Sequence, residues 1–506
     1  MQRQFLSVKR HSPTHLYSAE QSQALDRLAI EHFGIPSYLL MKRAAFYSWQ
    51  QIKTHFADSD RLIVLCGSGN NGGDGFMLAQ YAKLAGKEVE LYLYGSADKI
   101  RHDALLAYQE WREIGGQVHN LADLEPTQIA ANWLLIDALF GTGLDRPLSS
   151  ELCQLLQKLT QTAAPICALD VPSGLNANSG QIMGFAMPAQ LTCSFISEKF
   201  GFYCNQGPDT CGRLTYSDLG LRQDAPEIFQ QISPLANSQG FEFWKKRLPK
   251  RANNAHKGTL GTALLIGGNH TMMGAIQLAA KAALESGCGL CKVITQAEHS
   301  TAITAQQPEV MSYNNSALSP LLATATAIAI GPGLGTDDWA QRLWQTTSQA
   351  PISLVIDADA LNILAKNSNW QARQNVVFTP HPGEAARLLG ISIEEVQNDR
   401  IAAIKALQSK YGGTFVLKGN GSLIYNGKQM ELCTDGNPGM ARGGMGDVLT
   451  GTIVSLLAQG METFEAACLG VYLHANAGDT LAQKKGLAGV IPSQLSQFYG
   501  PLLNDA

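Results

Sequence analysis

A glycine-rich segment that leads directly into a helical pattern is the strongest chemical signal in the sequence. It reads Asn437-Pro438-Gly439-Met440-Ala441-Arg442-Gly443-Gly444-Met445-Gly446-Asp447 and precedes an apolar helical run over 448–458. Backbone amides of Gly444 to Gly446 at a helix N-terminus would form an anion hole for a transferring phosphoryl group. Asp447 would then accept a proton from an attacking hydroxyl. The alternative is that Asp447 only stabilises the first helical turn through the helix dipole.

A second glycine-rich segment follows an apolar run in the first half of the chain. Residues 61–66 lead into Gly67-Ser68-Gly69-Asn70-Asn71-Gly72-Gly73-Asp74-Gly75, which contains five glycines and opens another helical pattern. Glycines let backbone amides approach an anion, and the helix N-terminus adds its dipole. The spacing differs from the G-x-G-x-x-G dinucleotide fingerprint. An ordinary strand-to-helix turn would also have glycines, but Asn70, Asn71 and Asp74 are costly to place there without a ligand.

Two further predicted strands of the first half end in an aspartate. Asp137 is followed by Gly141-Thr142-Gly143-Leu144-Asp145-Arg146-Pro147, and residues 165–169 are followed by Asp170-Val171-Pro172-Ser173-Gly174. In an open α/β sheet, ligands bind beyond the carboxyl ends of the strands, so these loops predict one shared pocket. The oxygens of Asn71, Asp137 and Ser173 suit a hard monovalent or divalent cation. Asp170 by itself is as easily explained as a helix cap.

Weaker motifs of the second half lie at the ends of other predicted strands. They are Ile266-Gly267-Gly268-Asn269, Met273-Gly274-Ala275, Gly331-Pro332-Gly333-Leu334-Gly335, Asp357-Ala358-Asp359-Ala360-Leu361-Asn362, Thr379-Pro380-His381-Pro382-Gly383-Glu384 and Lys418-Gly419-Asn420-Gly421-Ser422. Taken singly, His381 would more often be a packed turn histidine and Lys418 a solvated strand end. The motifs carry weight only as a set.

The elements that would position these residues alternate between short apolar runs and amphipathic stretches. This alternation predicts an α/β fold with parallel sheets flanked by helices in both halves. The predicted strands are 61–66, 88–94, 133–138 and 165–169, and then 262–266, 291–295, 325–330, 353–356, 376–379 and 414–417. Two helices are expected before the first of these strands. The pattern lapses between residues 218 and 243, which predicts two domains, 1–230 and 231–506.

The composition excludes several classes of protein. The chain has 506 residues, of which 45 % are apolar and 16 % charged, so it is expected to have large cores and little disorder. Its net charge of −4, from 38 basic and 42 acidic residues, does not suggest a nucleic-acid binder or a membrane-surface protein. We therefore expect small-molecule substrates, with no nucleic-acid and no membrane partner.

The cysteines and the apolar runs indicate the compartment. The 10 cysteines are scattered, mostly within apolar runs, which is typical of buried thiols in a reducing environment. Only Cys288 and Cys291 form a C-x-x-C pair, and no second pair is spaced to complete a zinc site. No segment reaches the roughly 18 apolar residues of a membrane span, and the N-terminus has no signal-peptide core. We expect a cytoplasmic protein.

The motifs of the first half resemble the NAD(P)H-hydrate epimerase family over residues 15–225. The resemblance implies that the hydrated nicotinamide nucleotide is held by Asn70, Asn71, Gly72, Gly73, Asp74, Gly141, Thr142, Gly143, Leu144, Asp145, Arg146, Pro147 and Asp170. It also implies that Asp170 is catalytic and that Asn71, Asp137 and Ser173 ligate K⁺. Met41-Lys42-Arg43-Ala44-Ala45 departs from the family pattern, which bears on helix packing or an oligomer contact rather than on the pocket.

The motifs of the second half resemble the ADP-dependent NAD(P)H-hydrate dehydratase family, which has a ribokinase-like fold, over residues 240–505. The resemblance implies that Ala275, Gly335, His381 and Asp447 contact the hydrated nucleotide. It places ADP, with Mg²⁺ on its diphosphate, at Lys418, Gly419, Asn420, Gly421, Ser422 and Gly446. Asp447 would be the catalytic base. Ser422 stands where the family usually has threonine and keeps the hydroxyl.

Together the two halves resemble the family of bifunctional NAD(P)H-hydrate repair enzymes. This implies a Rossmann-like three-layer domain followed by a ribokinase-like domain, and we expect a homo-oligomer. The first domain would interconvert the R and S epimers of the hydrate, and the second would dehydrate the S form with ADP. Two alternatives stay open: a vitamin-type kinase that releases a stable phosphoester, and a first half that only binds a nucleotide as a scaffold.

Overall fold

Two sheets with parallel strands organise the two units of the chain. The computed structural model describes residues 14–367 and 369–504. The chain divides into the units Met1–Ala236 and Asn237–Ala506, whereas the predicted boundary lay near residue 230. In the part of the chain that the structure describes, no helix is long and apolar enough to cross a membrane. The cysteines are free thiols, and all except Cys153 are buried.

The first unit is built on a seven-stranded parallel sheet. Its strands are β2 (Arg61–Cys66), β3 (Glu88–Leu93), β4 (His119–Asn120), β5 (Leu134–Ala138), β6 (Ile166–Leu169), β7 (Leu191–Phe195) and β8 (Arg213–Ser217). Two short strands, β1 (His15–Leu16) and β9 (Ala236–Asn237), flank this set along the chain. The order across the sheet is β4-β3-β2-β5-β6-β7-β8. The direction in which successive strands are added reverses between β2 and β5. The loops that follow these two strands therefore run to opposite faces of the sheet and leave a crevice between them.

Helices cover both faces of this sheet. They are α1 (Ala19–Glu31), α2 (Ser37–His55), α3 (Asn70–Leu84), α4 (His102–Glu113), α5 (Ser150–Thr160), α6 (Gly207–Cys211), α7 (Leu221–Asp224) and α8 (Ile228–Gln231). Alternate residues of β2 enter two separate cores: Leu62 and Val64 lie in one, and Ile63 and Leu65 in the other. The unit is therefore three-layered, and the predicted helix pair before β2 is present.

The sheet of the second unit is larger and mixed. Its strands are β10 (Thr262–Ile266), β11 (Leu290–Ile294), β12 (Val310–Tyr313), β13 (Ala327–Ile330), β14 (Ser353–Ile356), β15 (Val376–Phe378), β16 (Thr414–Leu417), β17 (Ser422–Tyr425) and β18 (Met430–Cys433). The order is β18-β17-β16-β15-β14-β13-β10-β11-β12, with Asn237 of β9 beside Glu431. Strands β10 to β16 are parallel; all of them except β12 were predicted. The antiparallel pairs β16/β17 and β17/β18 were not predicted.

Long helices pack on both faces of this sheet. They are α9 (Phe241–Lys245), α10 (Met273–Glu285), α11 (Ser300–Gln306), α12 (Leu318–Leu322), α13 (Asp338–Thr347), α14 (Ala358–Ala365), α15 (Pro382–Leu389), α16 (Ile393–Asn398), α17 (Arg400–Tyr411), α18 (Met445–Ala458), α19 (Thr463–Lys485) and α20 (Tyr499–Asn504). Cys288 lies in the loop between α10 and β11, and Cys291 is the second residue of β11.

The packing of α10 against α18 holds the glycine-rich start of α18 in place. A Cβ on Gly451 of α18 would overlap the carbonyl oxygen of Ala279 on α10, so the two backbones are in direct contact. Gly274, also on α10, has open space where its Cβ would be. The glycine at 451 therefore sets the distance between the two helices.

Gly451→Ala is expected to destabilise the second unit by about 1–3 kcal/mol, because the added methyl must push the helices apart. Gly274→Ala is the matched control and should be neutral or stabilising, since alanine favours a helix more than glycine does. The free energy of unfolding in urea measures both. Equal stability of the two variants would contradict the contact.

Candidate active sites

The carboxyl edge of the first sheet opens into a cavity of about 1170 Å³. The loops that follow β2, β5 and β6 line this cavity, so the three predicted loops converge. The predicted residues on its wall are Asn70, Asn71, Asp74, Gly141, Thr142, Gly143, Leu144, Arg146, Pro147 and Asp170. Apolar side chains such as Leu40, Phe140 and Phe195 line it as well. A cavity with polar loops on an apolar wall can hold a flat, polar ring compound.

Five of the predicted residues do not line this cavity. Gly72 and Gly73 belong to the start of α3: a Cβ on Gly72 would overlap the Gly67 carbonyl oxygen, and one on Gly73 would lie 2.5 Å from Cε of Met41. These glycines pack α3 closely instead of facing a ligand. Asp145, Asp137 and Ser173 are also absent from the cavity wall.

Asp170 is paired with a buried lysine that the sequence analysis missed. The Nζ atom of Lys199 donates to Asp170 Oδ1 at 2.6 Å, to Phe195 O at 2.7 Å and to Ser194 Oγ at 3.0 Å. These three bonds satisfy the ammonium, whose side chain is only 1 % exposed. The other oxygen of Asp170 accepts a bond from the amide of Thr142 at 3.3 Å. Asp170 is thereby held in one orientation at the cavity wall, with φ of 59°.

Asp137 and Ser173 form a buried pair behind the loop that follows β5. Asp137 is fully buried and accepts bonds from the Ser173 amide at 2.8 Å and the Ser173 hydroxyl at 2.6 Å. Burial raises the pKa of Asp137, and the bonds from Ser173 act against this rise. Ser173 Oγ also accepts from the amide of Phe140 at 2.9 Å. The pair thus anchors the loop between β5 and α5.

Of the three predicted cation ligands, only Asn71 has a side chain whose buried polar atoms lack a hydrogen-bond partner. Both its amide oxygen and its amide nitrogen are buried without a hydrogen-bond partner. A Cβ added to Gly141 would lie 3.5 Å from Cγ of Asn71 and 2.9 Å from Oδ2 of Asp170, so Asn71 lies beside the loop that Ser173 anchors. An orphaned buried amide oxygen beside a buried carboxylate fits a K⁺ ion.

Three acids near Asp170 were not assigned together by the sequence. Asp26 of α1, Asp74 of α3 and Asp103 of α4 line the same cavity. Burial and then the charge of Asp170 raise the pKa of Asp26 to about 6, and burial raises the pKa of Asp74 well above its usual value. The first site therefore combines the paired carboxylate of Asp170 with two acids, Asp26 and Asp74, whose pKa values are raised above the usual value.

The second unit carries its own buried ion pair. Asp357, which follows β14 and is 1 % exposed, accepts bonds from Lys418 Nζ at 2.9 Å and from Thr450 Oγ1 at 2.7 Å. Lys418 follows β16, and its Nζ is also 3.8 Å from an oxygen of Glu384. Burial lowers the pKa of Lys418, but the carboxylates of Asp357 and Glu384 outweigh burial and raise it. Lys418 is therefore a fixed positive charge.

This ion pair lies directly beside the glycine-rich start of α18. A Cβ on Gly446 would be 3.3 Å from Lys418 Nζ and 3.7 Å from Asp357 Oδ2. Gly444 caps the helix with φ of 95°, which favours glycine. Burial, and next the charge of Asp357, raise the pKa of Asp447 in the first turn to about 7. A helix N-terminus, a fixed ammonium and a basic carboxylate thus lie together.

His381 is the N-cap of α15 and is tied to Glu384 in a capping box. The Gly383 amide donates to His381 Nδ1 at 3.0 Å, and the His381 amide donates to Glu384 at 2.8 Å. Burial raises the pKa of Glu384 to about 6, against the opposing charge of Lys418. Burial and then Lys418 lower the pKa of His381, which favours a neutral imidazole. His381 and Lys418 are therefore joined through Glu384.

Gly335 and Ala275 lie at the neighbouring strand ends. The Gly335 amide donates to Asp359 at 2.8 Å, next to Asp357 in the chain. A Cβ on Gly333 would be 3.1 Å from the Cβ of Ala275. The loop from Gly331 to Gly335 thus contacts both the start of α10 and the start of α14.

The loop from Lys418 to Ser422 joins β16 to the unpredicted β17. The guanidinium of buried Arg400 stabilises this loop by donating hydrogen bonds to Asn420 O at 2.7 Å and to Leu417 O at 3.0 Å. A Cβ added to Gly419 would lie 3.0 Å from the guanidinium of Arg400. Ser422 begins β17, and its hydroxyl donates to the Gly419 carbonyl at 3.3 Å. Thr450 and Arg400 were not predicted, whereas Asp357 and Glu384 were predicted only as members of strand-end motifs.

Comparisons with known proteins give matches to both units of the chain. Residues 263–499 match a family model described as NAD(P)H-hydrate dehydratase, and residues 37–201 match one described as YjeF-related protein N-terminus. The chain is 40 % identical over 501 residues to the bifunctional NAD(P)H-hydrate repair enzyme Nnr of Coxiella burnetii, covering 97 % of this chain and 100 % of that protein. It is 42 % identical to the enzyme of the same name from Vibrio cholerae, covering 97 % of this chain and 99 % of that one.

The second unit also resembles a solved structure. A ribokinase-like superfamily protein from Enterococcus faecalis is 33 % identical and superposes with a TM-score of 0.51, covering 54 % of this chain and 96 % of that chain. The predicted fold class, an α/β domain followed by a ribokinase-like domain, is confirmed.

The raised pKa of Asp447 predicts a pH-dependent stability. The folded chain binds this proton more tightly than the unfolded chain, so the stabilisation is complete below about pH 4 and is lost as the pH rises through about 7. Asp447→Asn cannot ionise and should be more stable than the unmodified protein at pH 8 but not at pH 4. Urea unfolding at both values measures this. The exposed Asp338→Asn is the control, and an Asp447→Asn difference that is independent of pH would contradict the prediction.

Proposed function

The chain belongs to the family of bifunctional NAD(P)H-hydrate repair enzymes, and on this premise we propose which residues perform each of its two reactions. The first domain is an NAD(P)H-hydrate epimerase and the second an ADP-dependent NAD(P)H-hydrate dehydratase. The epimerase interconverts the R and S forms at ring carbon 6. The dehydratase consumes ADP and the S form and yields NAD(P)H, AMP and phosphate.

The epimerase assignment depends chiefly on the convergence of three strand-end loops on one cavity. In this proposal Asn70, Asp74 and the loop 141–147 hold the nucleotide, and Asp170 orients or polarises the hydrated ring. Lys199 keeps the Asp170 carboxylate in place. Gly72 and Gly73 shape the start of α3 instead of contacting the nucleotide.

K⁺ is the ion that we assign to Asn71, Asp137 and Ser173. The unpartnered amide of Asn71 supports this assignment, because a cation would accept its oxygen as a ligand. When bound, K⁺ would supply positive charge that fixes the loops around the ring. The proton transfers are left to the side chains of the cavity.

The dehydratase assignment depends on the juxtaposition of Gly446, Lys418 and Asp447. The amides at the start of α18 would hold the transferring phosphoryl group, with Lys418 to Ser422 at ADP and Ala275, Gly335 and His381 at the hydrated nucleotide. Asp447 would take the proton of the 6-hydroxyl. The hydroxyl oxygen then attacks the terminal phosphorus of ADP, and AMP leaves. The ring nitrogen then expels phosphate from carbon 6, and loss of a proton from carbon 5 restores the double bond.

Mg²⁺ fits this second site as a companion of the nucleotide. In the described residues, no group of three or more His, Cys, Asp or Glu side chains is arranged to hold a metal. Mg²⁺ commonly keeps several waters and binds substrate phosphates with one or two carboxylates, so it needs no such group. The carboxylates around Asp357, Asp359 and Asp447 would favour it, and it would neutralise the diphosphate. A homo-oligomeric, cytoplasmic enzyme stays a prediction.

Asp170→Ala and Asn71→Ala are each expected to slow epimerisation while dehydration of the S epimer continues. Asp170→Ala removes the oriented carboxylate, and Asn71→Ala removes the cation ligand. Epimer ratios followed by chromatography measure the first activity, and nicotinamide absorbance with ADP measures the second. In addition, K⁺ should raise the melting temperature of Asp170→Ala but not that of Asn71→Ala. Unchanged epimerisation in both variants would refute this site.

Asp447→Asn is expected to lower dehydration by about 10²- to 10⁴-fold while ADP binding persists. Asparagine is nearly isosteric and can start the helix, but it cannot accept the proton. Absorbance recovery and ADP titration separate the two effects. Turnover above about a tenth of normal would rule out the base, as expected if Asp447 only stabilised the first turn. Accumulation of a stable phosphoester by the unmodified chain would favour the kinase alternative.

A further inference from the structure

One carboxyl group in the first cavity has no partner and no role in the family-based assignment. Asp26 lies in the middle of α1 and lines the cavity together with Asp170 and Lys199. It is half-buried, and no group in residues 14–367 or 369–504 donates a hydrogen bond to its carboxyl. Its environment is thus the opposite of that of Asp170, which has bonds from Lys199 and Thr142.

The two carboxyl groups differ in what surrounds them, because only Asp170 has a bound ammonium group. Burial, then the charges of Asp170 and Asp103, raise the pKa of Asp26 to about 6, while Lys199 and Arg27 act against this rise. The Asp170 carboxylate is instead held in an ion pair at 2.6 Å. Two acids separated in this way in one cavity are the usual arrangement of a proton donor and a proton acceptor.

We propose that Asp26 is the proton donor to the 6-hydroxyl of the hydrated ring in the epimerase reaction, and that Asp170 is the acceptor. This inference rests on the proposed assignment of the cavity to the epimerase. The proton of Asp26 passes to the hydroxyl oxygen, the bond from carbon 6 to oxygen breaks, and the ring-nitrogen lone pair forms a double bond to carbon 6. Water leaves.

The second half of the reaction restores the hydroxyl on the other face. A water molecule adds to carbon 6, the electrons of the double bond return to nitrogen, and the surplus proton of the water passes to Asp170. Transfer of this proton back to Asp26 through solvent in the cavity completes the cycle. Nothing is oxidised or reduced, and the same steps in reverse convert the other epimer.

The other charged groups of the cavity do not fit this role as well. The charged groups that interact with Asp26 are Asp74 on α3, Asp103 on α4, Asp170 and Lys199 after β6 and β7, and Arg27 on its own helix. Lys99 and Arg146 line the same cavity. Burial raises the pKa of Asp74 well above its usual value, and this acid is already assigned to holding the nucleotide. A donor must release and regain its proton near the working pH.

The test is the pH profile of epimerisation by the full-length chain, with the uncatalysed rate subtracted. For the unmodified enzyme, kcat/KM is expected to fall about tenfold per pH unit above a midpoint near 6, as Asp26 loses its proton. Asp26→Asn should lower kcat/KM at pH 6 by about 10²- to 10⁴-fold and abolish this midpoint. Asp26→Glu should restore the midpoint, because it restores an acid.

Controls separate this inference from the assignment on which it rests. Asp103→Asn changes a neighbouring acid of the same cavity and should keep most of the rate and a midpoint, although the midpoint should move to lower pH because the Asp103 charge helps to raise the pKa of Asp26. An Asp26→Asn enzyme with normal kcat/KM, or with reduced kcat/KM and an unchanged midpoint, would overturn the inference. If Asp170→Ala also epimerises normally, the assignment of the cavity fails; if Asp170→Ala is inactive, only the role of Asp26 fails. Should Asp26→Asn not fold, a profile of Asp26→Glu without any midpoint would overturn the inference.

Discussion

An ion pair between a lysine and an aspartate, with one partner fully buried, at the carboxyl edge of the sheet is the interaction on which each unit depends. Lys199 meets Asp170 at 2.6 Å in the first unit, and Lys418 meets Asp357 at 2.9 Å in the second. A lone charge at either place would be costly to bury, and removal of one partner would leave the other uncompensated. Both pairs also occur beside strained backbone, with φ of 59° at Asp170 and 48° at Ala358. The loops that carry the chemistry are built around these fixed charges.

The two pairs are used differently because their neighbours differ. In the first unit the lysine is almost fully enclosed, so it orients Asp170 and leaves the cavity to side chains that exchange protons with a neutral ring. In the second unit Lys418 is 20 % exposed and lies next to the amides of α18, where it can face a phosphate. Burial, and next the charge of Asp357, raise the pKa of Asp447 to about 7, which makes it a stronger base than an exposed aspartate. Because the dehydratase acts on the S epimer, the R epimer would stay unrepaired without an epimerase in the same chain.

The sequence predicted the parts of these sites that are contiguous in the chain. Glycine-rich loops and strand-end aspartates are visible because a buried strand, its loop and the next helix follow one another. Lys199 was missed since β7 was not predicted and the lysine lies among aromatic residues beyond it. Thr450 was missed because a hydroxyl within an apolar helix gives no signal, and its partner Asp357 is 93 residues away. Asp26 lies on a predicted amphipathic helix, where an acid is usually solvated. Only the fold places it in the same cavity as Asp170.

The central claim is that two sites in one chain act in succession on the two epimers. The most direct test is to incubate the unmodified chain with a mixture of R and S hydrates, ADP, Mg²⁺ and K⁺, and to follow the absorbance of the recovered reduced nicotinamide together with AMP. The account predicts complete recovery of both epimers, with one AMP formed for each NAD(P)H. Recovery that stops at the S fraction, or that proceeds without conversion of ADP to AMP, would contradict it.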